Sequence, residues 1–100
     1  MAYVVNHVHL KSNDPKATAD WFVDAFGLRI ESDNVRVFGD RFLRCFDGNN
    51  FNINISGPRT DEKLGPGDAN AHLGLEHFGF DSEDLDADIR KLTGMGAELK

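Results

Sequence analysis

His7 and His9 stand two residues apart in the stretch VNHVHL, and a third histidine, His77, stands in LEHFGF near the other end of the chain. Residues two apart on a β-strand project to the same face, so His7 and His9 share one. A single strand histidine is ordinarily structural or exposed. His77 alters that weighting because the phrase around it repeats the phrase around His7. Two imidazoles brought to one concave space begin a divalent metal site, and a carboxylate would complete a two-His-one-carboxylate triad with positions open to substrate. Residue types alone leave two readings of His7 and His77 standing, metal ligands or structural and exposed side chains. His9 either lines the same pocket or ends a strand as a partly exposed polar group, and His72 falls in a polar loop where solvation is expected.

The remaining chemistry-bearing residues have simpler accounts. Asp14, Asp84, Asp86 and Asp88 fall where helices begin, as caps or as charges favoured by the helix dipole. Glu31 and Asp33 border a turn, and Glu76 is expected to point away from its neighbour His77 in a regular strand. No carboxylate pair stands at a spacing suited to general acid–base work. Cys45, the only cysteine, excludes an internal disulfide and a thiolate cluster within one chain, and it reads as a half-buried strand residue. Gly65-Pro66-Gly67 has no strand–loop–helix context and is loop punctuation, not a phosphate cradle.

The elements that must position these residues follow from periodicity. Tyr3 to Leu10 reads as a strand. Asp14 caps the next helix, Pro15 fits its first turn, Ala19, Phe22, Val23 and Phe26 form its apolar stripe beside Trp21, and Gly27 ends it. Strands are then expected at Leu28 to Ser32, Val35 to Phe46 with a bend near Gly39-Asp40, and Phe51 to Ser56. The turn sequence DGNN at Asp47 to Asn50 joins the last two as a hairpin. Within the last strand Phe51, Ile53 and Ile55 face one way, and Asn52, Asn54 and Ser56 the other.

A linker rich in glycine, proline and polar residues spans 57–74, after which the pattern restarts. Leu75 to Phe80 is expected as a strand, Ser82 or Asp84 as a cap, and Leu85, Ile89 and Leu92 as a helical stripe. An offset of seventy superposes His7 on His77, Ser12 on Ser82, Asp14 on Asp84 and Ala17 on Ala87. Residues 1–56 are thus read as a βαβββ module, 57–74 as a linker, and 75–100 as the start of a second module cut short after its first βα unit.

Composition narrows the function classes. A formal charge of −6 and the lack of a basic patch argue against nucleic acid and anionic membrane surfaces as partners. No apolar run approaches a membrane span, and the N-terminus lacks a signal-peptide pattern, so a cytoplasmic protein is expected.

VNHVHLKSNDPKATADWFVDAFGLRI resembles the opening module of the vicinal oxygen chelate superfamily, which includes glyoxalase I, bleomycin-resistance proteins, fosfomycin-resistance enzymes and extradiol dioxygenases. NHVHL, NDP, WFVDAFGL and DGNNFNINI carry the likeness, and LEHFGFDSEDLDADIRKLTGMGAELK is similar to the opening of the family's second module. The resemblance implies an α+β fold of paired βαβββ modules, with metal ligands on the first and fourth strands of each. His7 and His77 match the first-strand ligands. Asn52 occupies the fourth-strand position where the family usually has glutamate, and a neutral amide is a poorer ligand for a transition metal than a carboxylate. A His-His-Glu site of the family's kind would need its glutamate from the fourth strand of the second module, which the sequence to Lys100 does not include.

Two functions follow as expectations. One is a divalent-metal-dependent lyase, isomerase or dioxygenase using iron, manganese, zinc or nickel on a small molecule chelated through oxygens. The other is a metal-free binding protein for a drug-like or aromatic molecule, with His9 and Asn52 at the ligand, and a fragment without activity stands behind both. A homodimer, with or without exchanged modules, is expected to complete the sheet.

Overall fold

The computed structural model describes residues 2–100. The chain divides into two compact units, one ending at Gly65 and the other spanning Pro66–Lys100. The first runs β1 (His7–Lys11), α1 (Pro15–Phe26), β2 (Arg29–Val35), β3 (Arg41–Phe46) and β4 (Asn52–Ser56). Its four strands form one mixed sheet in the order β1-β4-β3-β2. β4 lies parallel to β1 and antiparallel to β3, and β2 and β3 are antiparallel with a bulge between Ile30 and Ser32. The α+β class and the βαβββ order both follow the sequence reading.

The core forms on the face that α1 covers. Ala19 and Ala25 of the helix, Leu28 after it, Leu43 and Cys45 of β3, and Ile53 and Ile55 of β4 are all buried. Cys45 is fully enclosed where the sequence suggested half-burial, and burial pushes its thiol pKa up. The two alanines let the helix approach the sheet, while Phe22, Val23 and Phe26 remain half-buried along its flank. Trp21, Phe22 and Phe26 gather there with ring centroids 5.3 to 6.1 Å apart. Fully burying a leucine or isoleucine contributes about 1.5–3 kcal/mol, so Leu43, Ile53 and Ile55 supply much of what holds helix to sheet.

Local chemistry sets the boundaries. Asp47 accepts from the N–H groups of Asn49, Asn50 and Phe51 at 2.8 to 3.1 Å, and Gly48 takes φ 89°, which fixes the β3–β4 hairpin that DGNN announces. The expected bent strand from Val35 to Phe46 is instead the end of β2 at Val35, a turn over 36–40 and β3 from Arg41. Arg36 N–H donates to Asp40 O and Gly39 N–H to Arg36 O, both at 2.9 Å, and Gly39 at φ 85° lets the chain reverse. A Cβ on Gly39 would stand 2.0 Å from Thr60 Oγ1, so both conformation and space reserve that position for glycine. The first strand starts at His7, not Tyr3. Its partner β4 begins only at Asn52, whose N–H reaches Asn6 O at 2.8 Å, so residues 3–5 have no ladder to join.

In the second unit α2 spans Leu85–Gly94. The seventy-residue repeat recurs in its capping bonds. Ser12 Oγ accepts from Asp14 N–H and Asp14 from Ala17 N–H, both at 3.1 Å; Ser82 accepts from Asp84 at 3.2 Å and Asp84 from Ala87 at 3.1 Å. The cap dihedrals agree too, φ −133° with ψ 81° at Asp14 and φ −142° with ψ 86° at Asp84. Leu75 to Phe80, expected as a strand, forms none. A strand exists only when a neighbour supplies hydrogen bonds, and among the described residues no ladder pairs with this stretch. No helix is long and apolar enough to cross a membrane among the described residues.

Ile53→Ala should lower unfolding free energy by about 2–5 kcal/mol in urea titrations, because it opens a cavity at the centre of the only face α1 covers.

Candidate functional site

The strand pleat that sends Ile53 and Ile55 to the helix sends their neighbours to the opposite, uncovered face. Register places His7 opposite Asn52, His9 opposite Asn54 and Lys11 opposite Ser56. Across the next ladder Asn52 faces Phe46, Asn54 faces Arg44 and Ser56 faces Phe42. The open face therefore reads in rows across three strands: His7, Asn52, Phe46; then His9, Asn54, Arg44; then Lys11, Ser56, Phe42. Asn6, His7, Arg44, Asn50, Asn52 and Asn54 line a shallow concavity at one end.

Each group on this face has a distinct hydrogen-bonding state. His7 Nδ1 lies 2.5 Å from Asn6 Oδ1. His9 Nε2 lies 2.7 Å from the hydroxyl of fully buried Ser56, and its ring meets Phe42 edge-on at 5.2 Å. Partial burial, then the cations Lys11 and Arg36, hold His9 below the ordinary imidazole pKa of 6.5. Asn52 Oδ1 and Asn54 Oδ1 are buried and have no hydrogen-bond partner among the described residues. An acceptor left this way costs about 1–3 kcal/mol, and a half-turn of either amide merely exchanges its two ends.

One end of the face is closed by charge. The fully buried Asp40 carboxylate takes Arg36 Nη2 at 2.5 Å and Nε at 3.1 Å, with Lys11 Nζ at 3.9 Å. The Arg36 hydrogen bonds hold the Asp40 carboxyl below its usual range. The Arg36 guanidinium also lies 4.5 Å over the Phe42 ring. Lys11 Nζ donates to Gly57 O at 3.0 Å, tying the chain after β4 to this corner.

Of the residues singled out by sequence, His7, His9 and Asn52 share this face, and His7 and Asn52 are direct register partners. His77 lies in the second unit, exposed, and its Nδ1 is hydrogen-bonded to Glu76. That corrects the expectation that Glu76 points away: without a strand, the alternation that would separate neighbours does not operate. His72 bonds Asp68 at 3.0 Å and is largely exposed, as a loop histidine should be. Arg44 and Asn54 escaped the sequence reading as site residues, although the alternation in RFLRCF and NINIS already sets them on the polar face.

A divalent cation was the cofactor implied by resemblance. The first unit offers it two imidazoles, that of His9 already engaged with Ser56, together with two neutral amide oxygens and a guanidinium on the same face, and no carboxylate beside His7. Transition-metal cations favour imidazole and carboxylate donors, and a neighbouring cation opposes them. This donor set does not fit a divalent metal. Among the described residues no three histidine, cysteine, aspartate or glutamate side chains group as a metal would need.

The pKa directions carry a stability signature. His9 is depressed in the fold, so the unfolded chain takes up its proton first, and stability falls as pH drops below about 6.5 towards the folded value. Asp40 and Asp33 are depressed as well, Asp33 chiefly by its hydrogen bond to Arg41, so a further loss follows as pH falls below the ordinary carboxyl value of 3.8. Urea titrations across pH 8 to 3 should show both stages, and His9→Phe should abolish the first alone.

Residues 4–100 match the family model described as the Glyoxalase/Bleomycin resistance protein/Dioxygenase superfamily. No curated protein matches. Among solved structures, the crystal structure of SMU.1112c is similar with a TM-score of 0.64 and 22% identity, covering 96% of this chain and 77% of that one. TioX from Micromonospora sp. ML1 is similar with a TM-score of 0.56 and 21% identity, over 96% of this chain and 75% of its own. Likeness at these identities is likeness of fold. With a family model spanning nearly its whole length and the βαβββ sheet in place, the chain belongs to the glyoxalase/bleomycin resistance protein/dioxygenase superfamily.

Proposed function

We propose that this protein binds a small organic molecule on the open face of the first unit's sheet, without a metal. The observation that carries this reading is the pair of buried, unpartnered amide oxygens on Asn52 and Asn54, set between the histidines of β1 and Arg44 of β3. Buried polar groups in folded proteins are almost always satisfied, and a half-turn of either amide brings its unsatisfied oxygen to the open concave face, where a polar ligand completes it. Phe42 and Phe46 flank the amides and offer apolar surface for the body of such a molecule. Within the superfamily this is the reading of a binding protein, not of a metal-dependent lyase, isomerase or dioxygenase.

The metal-dependent reading draws its support from the equivalence of His7 and His77 within the repeated sequence. Both can be put to one measurement. Protein purified without chelators should carry no stoichiometric iron, manganese, zinc or nickel, and EDTA should leave both its folding and its ligand-induced NMR shifts unchanged. Stoichiometric metal that disappears in His7→Ala and in His77→Ala would replace this proposal with the enzymatic one.

A further inference from the structure

Four arginines lie on β2, β3 and the turn between them, and three are matched to a carboxylate nearby in sequence. Arg29 pairs with Glu31 at 2.6 Å, Arg36 with Asp40 at 2.5 Å, and Arg41 with Asp33 at 2.7 Å. Each acid on these elements is thereby spoken for. Arg44 is the remainder: its side chain has no hydrogen bond, ion pair or ring contact among the described residues, and it lines the concavity with His7, Asn52 and Asn54. In a chain of net charge −6 an unmatched guanidinium at the centre of a polar sheet face is a local exception.

Its surroundings define what it would take. The register puts Arg44 directly across from Asn54, so its guanidinium and that amide share one row. Guanidinium has only donors and matches a carboxylate in a planar, two-bond arrangement. The amide oxygens of Asn52 and Asn54 lack a donor. Adjacent strands stand about 5 Å apart, close to the separation of a carboxylate from a hydroxyl across a small ring or short chain.

We propose that Arg44 anchors the carboxylate of a small hydroxylated acid, whose hydroxyl hydrogen is received by the amide oxygen of Asn52 or Asn54 once a half-turn of that amide brings the oxygen to the surface. The inference rests on the small-molecule reading above and names its ligand class. The ligand is an anion with a hydrogen-bond donor a few bonds from its charge, and Phe46, in the row beside, packs on its apolar part.

The test follows the backbone amides of the 100-residue chain by NMR during titration with 3-hydroxybenzoate, with benzoate, which lacks the hydroxyl, and with neutral 3-hydroxybenzamide. 3-Hydroxybenzoate should perturb the amides of residues 7, 44, 52 and 54 and bind more tightly than either analogue. A charge-assisted pair is worth about 1.5–3 kcal/mol, so Arg44→Gln should weaken 3-hydroxybenzoate about tenfold or more and leave 3-hydroxybenzamide unchanged. Arg44→Lys, which keeps the charge but loses the planar fork, should recover part of the loss. Circular dichroism of both variants should match the parent, since Arg44 is exposed. Equal binding of acid and amide, or an Arg44→Gln variant that binds the acid as well as the parent, overturns the carboxylate subsite while leaving small-molecule binding at this face intact. Probes that perturb only amides away from the face overturn both.

Discussion

Everything in the first unit turns on the two-residue period of β4. NINIS lies between β1 and β3, so its pleat decides what both neighbours bury and what they show. Ile53 and Ile55 go to α1 and form the centre of the core, and in the same stroke Asn52 and Asn54 are committed to the other side. A shift of one residue in either pairing would put amides under the helix and isoleucines into solvent, which is why the register is so firmly specified. The candidate site is thus not an addition to the fold. It is the far side of the same hydrophobic alternation.

The uncovered face is organised by how its charges are matched. Asp40, fully buried, is tolerable because Arg36 grips it through two nitrogens and Lys11 stands near. That triad closes one corner and braces the ring of Phe42, on which His9 in turn leans. At the opposite end no such closure exists. Amide, imidazole and guanidinium groups remain with hydrogen-bonding capacity in hand, and capacity of that kind on a concave surface is what distinguishes a binding face from a merely solvated one.

Much of this was legible in the residues. Asp14 with Pro15, Gly27, and DGNN each carry a local mechanism that operates whatever the tertiary setting, and each element boundary they announce is where it was expected. The repeat was legible for the same reason: a serine two residues before a capping aspartate makes the same bonds at 12–17 and at 82–87. What could not be read was anything that depends on a distant partner. Residues 3–5 and 75–80 have strand-like composition, but pairing is a property of two segments and composition describes one. The split of the long strand at Arg36 to Asp40 hinges on an ion pair at i, i+4 and on the nearness of Thr60 to Gly39, neither visible as a periodic pattern. Arg44 stands out only by subtraction, because sequence shows four nearby arginines alike and only the fold shows the other three engaged.

The separation of the two sheet faces has an evolutionary corollary. Asn52, Asn54, Arg44 and His7 lie on the face opposite Ile53 and Ile55, so exchanging them redraws recognition while the isoleucines under the helix stay in place. A lineage carrying this sheet can therefore drift from one ligand to another by changes confined to the polar positions of its strands.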